Sequence, residues 1–272
     1  MTFSIIARCP HTGRLGLGIA TFSIGAGGRC EGILAGVGIC KTQAYTNRGN
    51  DPLAIELLAQ GHGPAHVLQM LEQNDPDHAY RQIAIIDRDG NGAAHTGSGT
   101  RPWSGHKIGK GYIAFGNVLA GPQVIEAIAA GFMAEPEGAL EFRILAALEG
   151  GRNSGGQVGA QGHLTERSAA IRVVADPDYP DVDVRGDLHD DAIGKGITIN
   201  GLVILTPLAE SFRPEHTHPP GGLEKYFQDN VIGGFGSFTV VAEGHHSFGR
   251  ALTKKLVAEI AGLRHHQRAA AN

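Results

Sequence analysis

Thr2-Phe3-Ser4-Ile5-Ile6-Ala7-Arg8 is followed by a turn from Pro10 to Gly13 and then by Leu15-Gly16-Leu17-Gly18-Ile19-Ala20-Thr21-Phe22. Apolar alternation on both sides of a Gly/Pro turn predicts a β-hairpin. Gly16 and Gly18 leave no Cβ on that hairpin where another segment can lie close. Outward from it, Ile33 to Ala44 is a second glycine-punctuated apolar pair, including Gly36-Val37-Gly38-Ile39-Cys40-Lys41-Thr42-Gln43. Asp51-Pro52 starts a helix that Gly61 ends, and Pro64 opens another that stops near Asn74. Strand character returns from Arg81 to Asp87, turns at Asp89-Gly90-Asn91-Gly92, resumes from Ala93 to Gly97, and appears again from Tyr112 to Asn117. Gly121-Pro122 opens a third helix, and Ala139 to Leu148 forms a fourth that Gly150-Gly151 closes. Gly155 to Gly162 reads as a flexible loop and Ser168 to Val174 as a strand. This order predicts an α+β fold in which two antiparallel sheets pack together with helices on their outer faces, a four-layer arrangement.

That block occupies residues 1–190, and residues 191–272 read as an extension packed on it or lying at an oligomer contact. Within the extension, Ile197 to Leu205 and Phe235 to Ala242 are strand-like, and Leu252 to Leu263 is helical. Glycine supplies 41 of 272 residues, about twice the usual share, without the strict period of collagen. A net charge of -4 offers no footprint for nucleic acid or for an anionic membrane surface. Cys9, Cys30 and Cys40 match neither a disulfide framework nor a thiolate zinc site. Without a signal peptide pattern or an apolar run long enough to span a bilayer, a cytoplasmic protein is expected.

Thr2 is the first residue with chemical promise. Excision of Met1, expected before a small residue, leaves a hydroxyl and a free α-amine on one residue. A hydroxyl is a weak nucleophile until a base takes its proton, and the amine, with an ordinary pKa of about 8, can be that base. His95 and His106 sit among glycines and polar residues, where each can orient a substrate, carry a proton or simply decorate a turn. Lys41, two residues before Gln43 on a strand, faces the same way and can meet a substrate carboxylate, Glu31 or solvent. Asn47 and Trp103 are candidate pocket walls or loop supports.

Taken in order, several of these pieces resemble one family. They are Thr2-Phe3-Ser4-Ile5-Ile6-Ala7-Arg8, the glycine-rich second strand, Gly36-Val37-Gly38 with Thr42-Gln43-Ala44, and Asn47. Arg81-Gln82, His95-Thr96-Gly97, Trp103-Ser104-Gly105-His106 and Gly116-Asn117-Val118-Leu119-Ala120-Gly121 complete the set. Over roughly residues 2–190 the chain resembles an uncharacterised family, a domain of unknown function, within the N-terminal nucleophile (Ntn) hydrolase superfamily. The resemblance implies an αββα sandwich and an amidohydrolase cleaving a small non-peptide amide by acyl transfer to Thr2. Asn117 and Gln43 are the candidate oxyanion donors, fixed because neither changes charge. Their alternative roles are a cap for the helix at Pro122 and the satisfaction of a turn. The chemistry requires no cofactor and no metal. The partners expected are a small-molecule amide and further copies of the chain.

Two other function classes stand beside this one. His216 and His218 with Glu215, His245-His246 with Glu243, and His189 with Asp190 and Asp191 have ligand types for a metal-dependent hydrolase or oxidase, though in no recognised spacing. The sandwich can also serve as a non-catalytic ligand-binding or assembly domain. Catalysis through Thr2 requires Met1 to be gone.

Overall fold

The computed structural model describes residues 1–23, 25–30, 32–175, 180–187, 201–205, 237–243 and 250–257, with residues 222, 224, 225, 228, 232 and 247. Two compact units divide the chain at Asp187 and Leu188.

The first unit holds twelve of the strands. These are β1 (Thr2–Arg8), β2 (Leu15–Thr21), β3 (Ile33–Leu34), β4 (Gly38–Ala44), β5 (Arg81–Asp87), β6 (Gly92–Thr96), β7 (Ser104–Gly109), β8 (Tyr112–Asn117), β9 (Gln157–Gly159), β10 (Gly162–Leu164), β11 (Ser168–Val174) and β12 (Pro180–Asp187). Four α-helices accompany them: α1 (Asn50–Ala59), α2 (Pro64–Asn74), α3 (Pro122–Met133) and α4 (Leu140–Asn153). One antiparallel sheet has six strands in the order β12-β11-β2-β1-β8-β7, and another has four in the order β3-β4-β5-β6. The class is α+β.

Side-chain alternation along β1 explains how these parts pack. Phe3, Ile5 and Ala7 meet Val124, Ile125 and Ile128 of α3 and Ile144, Ala147 and Leu148 of α4 in one apolar cluster. Ile6 points the opposite way, joining Leu17, Ile113 and Phe115 with Ile39, Ala84 and Ile86 of the four-stranded sheet. A third cluster joins Cys40, Ile83 and Ile85 to Leu57 and Leu58 of α1 and Val67 and Leu71 of α2. Both faces of β1, β4 and β5 are therefore covered. Full burial of each Ile, Leu or Phe stabilises by roughly 1.5–3 kcal/mol, so this register is strongly preferred over its one-residue slips. Cys9, Cys30 and Cys40 are free and buried.

Three local expectations need correction. The fourth helix does not stop at Gly150-Gly151 but runs to Asn153. There the glycines let α4 approach α3: a Cβ on Gly150 would meet the Ala127 carbonyl at 2.6 Å, and one on Gly151 the Ile128 side chain at 2.7 Å. The loop expected from Gly155 to Gly162 contains the short antiparallel pair β9 and β10. β7 and β12, both edge strands, had no counterpart in the sequence reading.

In the second unit, β13 (Gly201–Leu205) pairs in parallel with β14 (Thr239–Glu243). Val240, Ala242 and Ala251 form a small core there, and residues 250–257 are helical. The rest of the helix expected to reach Leu263 lies outside the described residues. Among the described residues no helix is long and apolar enough to cross a membrane.

Candidate active site

Period two places Thr2 and Ser4 on the face of β1 that looks toward the four-stranded sheet. On β4 it places Lys41 and Gln43 on the face looking back. Thr2 is buried at the end of β1, in register with Thr21 of β2 on one side and Asn117 of β8 on the other. Its Oγ1 lies 3.1 Å from Thr21 Oγ1. The Thr21 hydroxyl donates to the Met1 carbonyl at 2.6 Å and accepts from the Ser23 N–H at 3.1 Å. A hydroxyl has one proton, so Thr2 is the donor of the pair. A cavity of about 190 Å³ opens beside them, lined by Met1, Thr2, Thr21, Lys41 and Gln43 among others.

Behind the cavity wall runs a buried amide network centred on Gln82. Gln82 Oε1 accepts from Gln43 Nε2 at 2.9 Å and from Asn117 Nδ2 at 3.1 Å. Its Nε2 donates to the Gly116 carbonyl at 2.8 Å, with Thr96 Oγ1 at 3.0 Å and the Gly105 carbonyl at 3.1 Å sharing the second hydrogen. Gln43 Oε1 accepts from Ser4 at 2.7 Å. Gln43 and Asn117 thus each keep one amide hydrogen free of these bonds, and their side chains are held in single orientations. The residue after each of them is left-handed without being glycine: Ala44 at φ 68° and Val118 at φ 57°. Such backbone costs about 1–2 kcal/mol per residue and is known to cluster at functional sites.

Charge at the cavity comes from two amines. The Met1 α-amine is pushed down to about 6, by burial first and by the Arg101 guanidinium second. Lys41 is 1% exposed, and its Nζ donates to the Thr42 carbonyl at 2.9 Å. Asp51 of α1 accepts from the Thr42 N–H at 2.9 Å and takes the Cys40 thiol at 3.6 Å, on the helix side of β4. Burial raises both the Asp51 carboxyl and the Cys40 thiol.

Of the residues singled out from sequence, the structure brings Thr2, Lys41 and Gln43 to the cavity and Asn117 to the strand position beside Thr2. The other four are not among the lining residues. Asn47 bonds Asp75 at 3.1 Å and the Gly49 N–H at 3.0 Å, bracing the start of α1. His95 stacks on His78 with ring centroids 3.9 Å apart. His106 Nδ1 meets Thr96 Oγ1 at 2.8 Å, and Trp103 packs against the cluster under α3 and α4. Sequence reasoning assigned no role to Thr21 or Gln82. Gln82 shares its strand face with Ala84 and Ile86, so a polar residue in that inward series was a usable signal. The late groups around His189, His216 and His245 lie outside the described residues, apart from Glu243, whose backbone ends β14. Among the described residues no group of three or more His, Cys, Asp or Glu is placed to hold a metal.

Comparison with known proteins returns a family described as "Family of unknown function (DUF1028)", matching residues 2–196. A crystal structure of a protein from Silicibacter pomeroyi, described with the same family, is 33% identical with a TM-score of 0.60, covering 70% of this chain and 83% of that one. No curated protein matches.

Proposed function

The chain belongs to the DUF1028 family, a family of unknown function, and from that membership we propose a specific activity for it. It is an amidohydrolase of the N-terminal nucleophile type, built as a four-layer αββα sandwich and active once the chain is cut before Thr2. The two stacked sheets, with α1 and α2 against one and α3 and α4 against the other, support the sandwich reading. One observation carries the activity: a threonine hydroxyl at the end of a central strand borders a cavity and lies 3.1 Å from the Thr21 hydroxyl.

In this reading the freed Thr2 amine takes the proton from Thr2 Oγ1, and the oxygen forms a bond to the amide carbon. The C–N bond then breaks, the amine returns its proton to the leaving nitrogen, and an ester remains on Thr2. Water, deprotonated by the same amine, hydrolyses that ester and restores the hydroxyl. The uncommitted amide hydrogens of Gln43 and Asn117 are the candidate oxyanion donors. Removing one such donor typically costs ~3 kcal/mol of transition-state stabilisation. Burial depresses the Met1 amine at this wall of the cavity, and equal burial of a Thr2 amine would favour its neutral, basic form near pH 7.

Intact-mass analysis establishes whether Thr2 is the first residue of the purified protein. A panel of small amides is then assayed with wild type and Thr2→Ala, where the variant should lose activity by about a thousandfold or more. Undiminished turnover by Thr2→Ala, or by protein that retains Met1, would overturn the proposal. A second reading follows from the bond between Thr21 and the Met1 carbonyl. In an uncut chain the Thr2 nitrogen remains in a peptide bond, and the cavity acts only as a binding site.

A further inference from the structure

We propose that the cavity recognises its ligand through a carboxylate bound by Lys41, so that the substrates are small acidic amides of the N-acyl amino acid type. This rests on the hydrolase reading for the word substrate, but the recognition step stands on separate observations.

Lys41 is almost wholly buried, yet among the described residues its Nζ makes one hydrogen bond, to the carbonyl of its own neighbour Thr42. An ammonium has three donors, so two remain for another group. Among the described residues Lys41 forms no ion pair, and no carboxylate lines the cavity. Asp51, whose ionised form the Lys41 charge favours against burial, accepts from the Thr42 N–H and the Cys40 thiol through Oδ1 on the helix side of β4. A buried ammonium with one neutral acceptor is expensive, because desolvating an ion costs several kcal/mol unless a counter-charge replaces the water. Lys41 is also the only charged side chain lining the cavity among the described residues, which makes the interior attractive to an anion. The remaining walls carry hydroxyls and one amide, among them Thr21, Ser23 and Gln43, suited to the other polar atoms of such a ligand.

The class of anion follows from the donor set. A phosphate dianion calls for several convergent donors or a guanidinium fork, whereas one lysine matches the single charge of a carboxylate. Size follows from volume. A cavity of roughly 150 Å³ holds a benzene ring, so the 190 Å³ here, measured with Met1 still lining it, admits a ligand of at least about eight non-hydrogen atoms once Met1 is gone. N-acetylglycine has that size, and N-acetylglycinamide is its neutral isostere.

Calorimetric titration of both compounds into Thr2→Ala protein, cut before residue 2, measures recognition without turnover. The acid should bind roughly tenfold or more tighter than the amide, as expected for a charge-assisted hydrogen bond. In Lys41→Met, which keeps the length of the buried stem, the preference should vanish while the thermal transition stays cooperative. Equal binding of the two probes overturns the proposal, as does binding of neither at millimolar concentration or a preference that survives in Lys41→Met. The first two outcomes need no change at Lys41, so a poorly folded variant does not obscure them. Failures of the two readings remain separable. Preferential binding of the acid without turnover by processed wild type removes the hydrolase and leaves the recognition. Turnover of acidic and neutral amides with equal kcat/KM removes the recognition and leaves the hydrolase.

Discussion

The Thr2 hydroxyl donates to the Thr21 hydroxyl across 3.1 Å, because the Thr21 proton is already committed to the Met1 carbonyl. Thr21 is therefore the hydroxyl partner of Thr2 in the uncut chain, and once Met1 is gone its own proton is released and the same contact can run in either direction. Thr21→Val keeps the β-branched shape and the strand pairing but removes the acceptor. It leaves the Thr2 hydroxyl and the Ser23 N–H without their partner. Chemical denaturation should show a loss of about 1–3 kcal/mol, the cost of unsatisfied buried polar groups. Activity of the processed enzyme should fall tenfold or more at unchanged KM, since the defect lies in the attacking atom. An unchanged kcat would detach Thr21 from the mechanism.

Gly150 separates two effects of opposite sign. In an exposed helix interior, Gly→Ala gains about 1 kcal/mol from propensity. Here the added methyl would meet the backbone carbonyl of Ala127 at 2.6 Å, and backbone cannot rotate away as a side chain can. Overpacking of this kind typically costs about 1–3 kcal/mol, so the collision outweighs the propensity gain. Gly150→Ala should lower the thermal midpoint. A raised midpoint would mean that α3 and α4 have slack between them.

Asp75 gives the fold an acid-sensitive point. Its carboxylate accepts two bonds from Arg81, at 2.9 and 3.0 Å, and one each from Asn47 and Asn50 at 3.1 Å. The Arg81 guanidinium, more than the two amides, holds the carboxyl well below its ordinary range despite opposition from burial. The folded value lies under the unfolded value of about 3.9, so the contribution is complete above that pH. It is lost as pH falls from there toward the folded value. Asp75→Asn should cost about 1.5–3 kcal/mol at neutral pH, because Arg81 loses its closest carboxylate while keeping the Tyr45 carbonyl and Asp77, and should flatten the fall in stability below pH ~4. Urea melts of both proteins across that range test the sign. Parallel curves would show that Asp75 is not the titrating group.

The parts legible in the sequence are those where burial dictates composition. β1, β5, β8, β11 and α2 have the bounds expected, because β1, β5 and β8 are buried on both faces and every third to fourth residue of α2 enters a core. β7 and β12 were invisible for the converse reason. They lie at opposite edges of the six-stranded sheet, and Ser104–Gly109 carries no apolar series. Gly150 and Gly151 read as stop signals because a sequence does not display the partner helix that requires them. At the site, strand parity placed Lys41 and Gln43 together, and Thr2 stood out by position. His95 stands out by its glycine-flanked polar setting, and Asn47 by its place in the set of motifs that carries the resemblance. Their partners, His78 in one case and Asp75 in the other, are distant along the chain, and neither residue is among those lining the cavity.

Arg101 offers a test of the amine as the general base. A base must be neutral to accept the Thr2 proton, so activity should fall as pH drops through the amine's pKa. Burial is the larger cause of the low value at the Met1 amine, and the Arg101 charge is the smaller one. Cutting before Thr2 moves the amine one residue along β1, and the test takes the same two influences to act on it there. Arg101→Gln removes a positive charge that disfavours the protonated form, so the amine's pKa rises and the acid limb of kcat/KM moves to higher pH. Arg101 is exposed, so added salt should screen its effect and move the wild-type limb in the same direction. In Arg101→Gln that salt dependence should disappear. The uncut chain gives an activity-independent reference, since its Met1 amine should titrate near 6 and rise with the same substitution. A limb indifferent to both salt and Arg101, alongside a Met1 amine that responds to them, would assign the catalytic proton to a group other than the Thr2 amine.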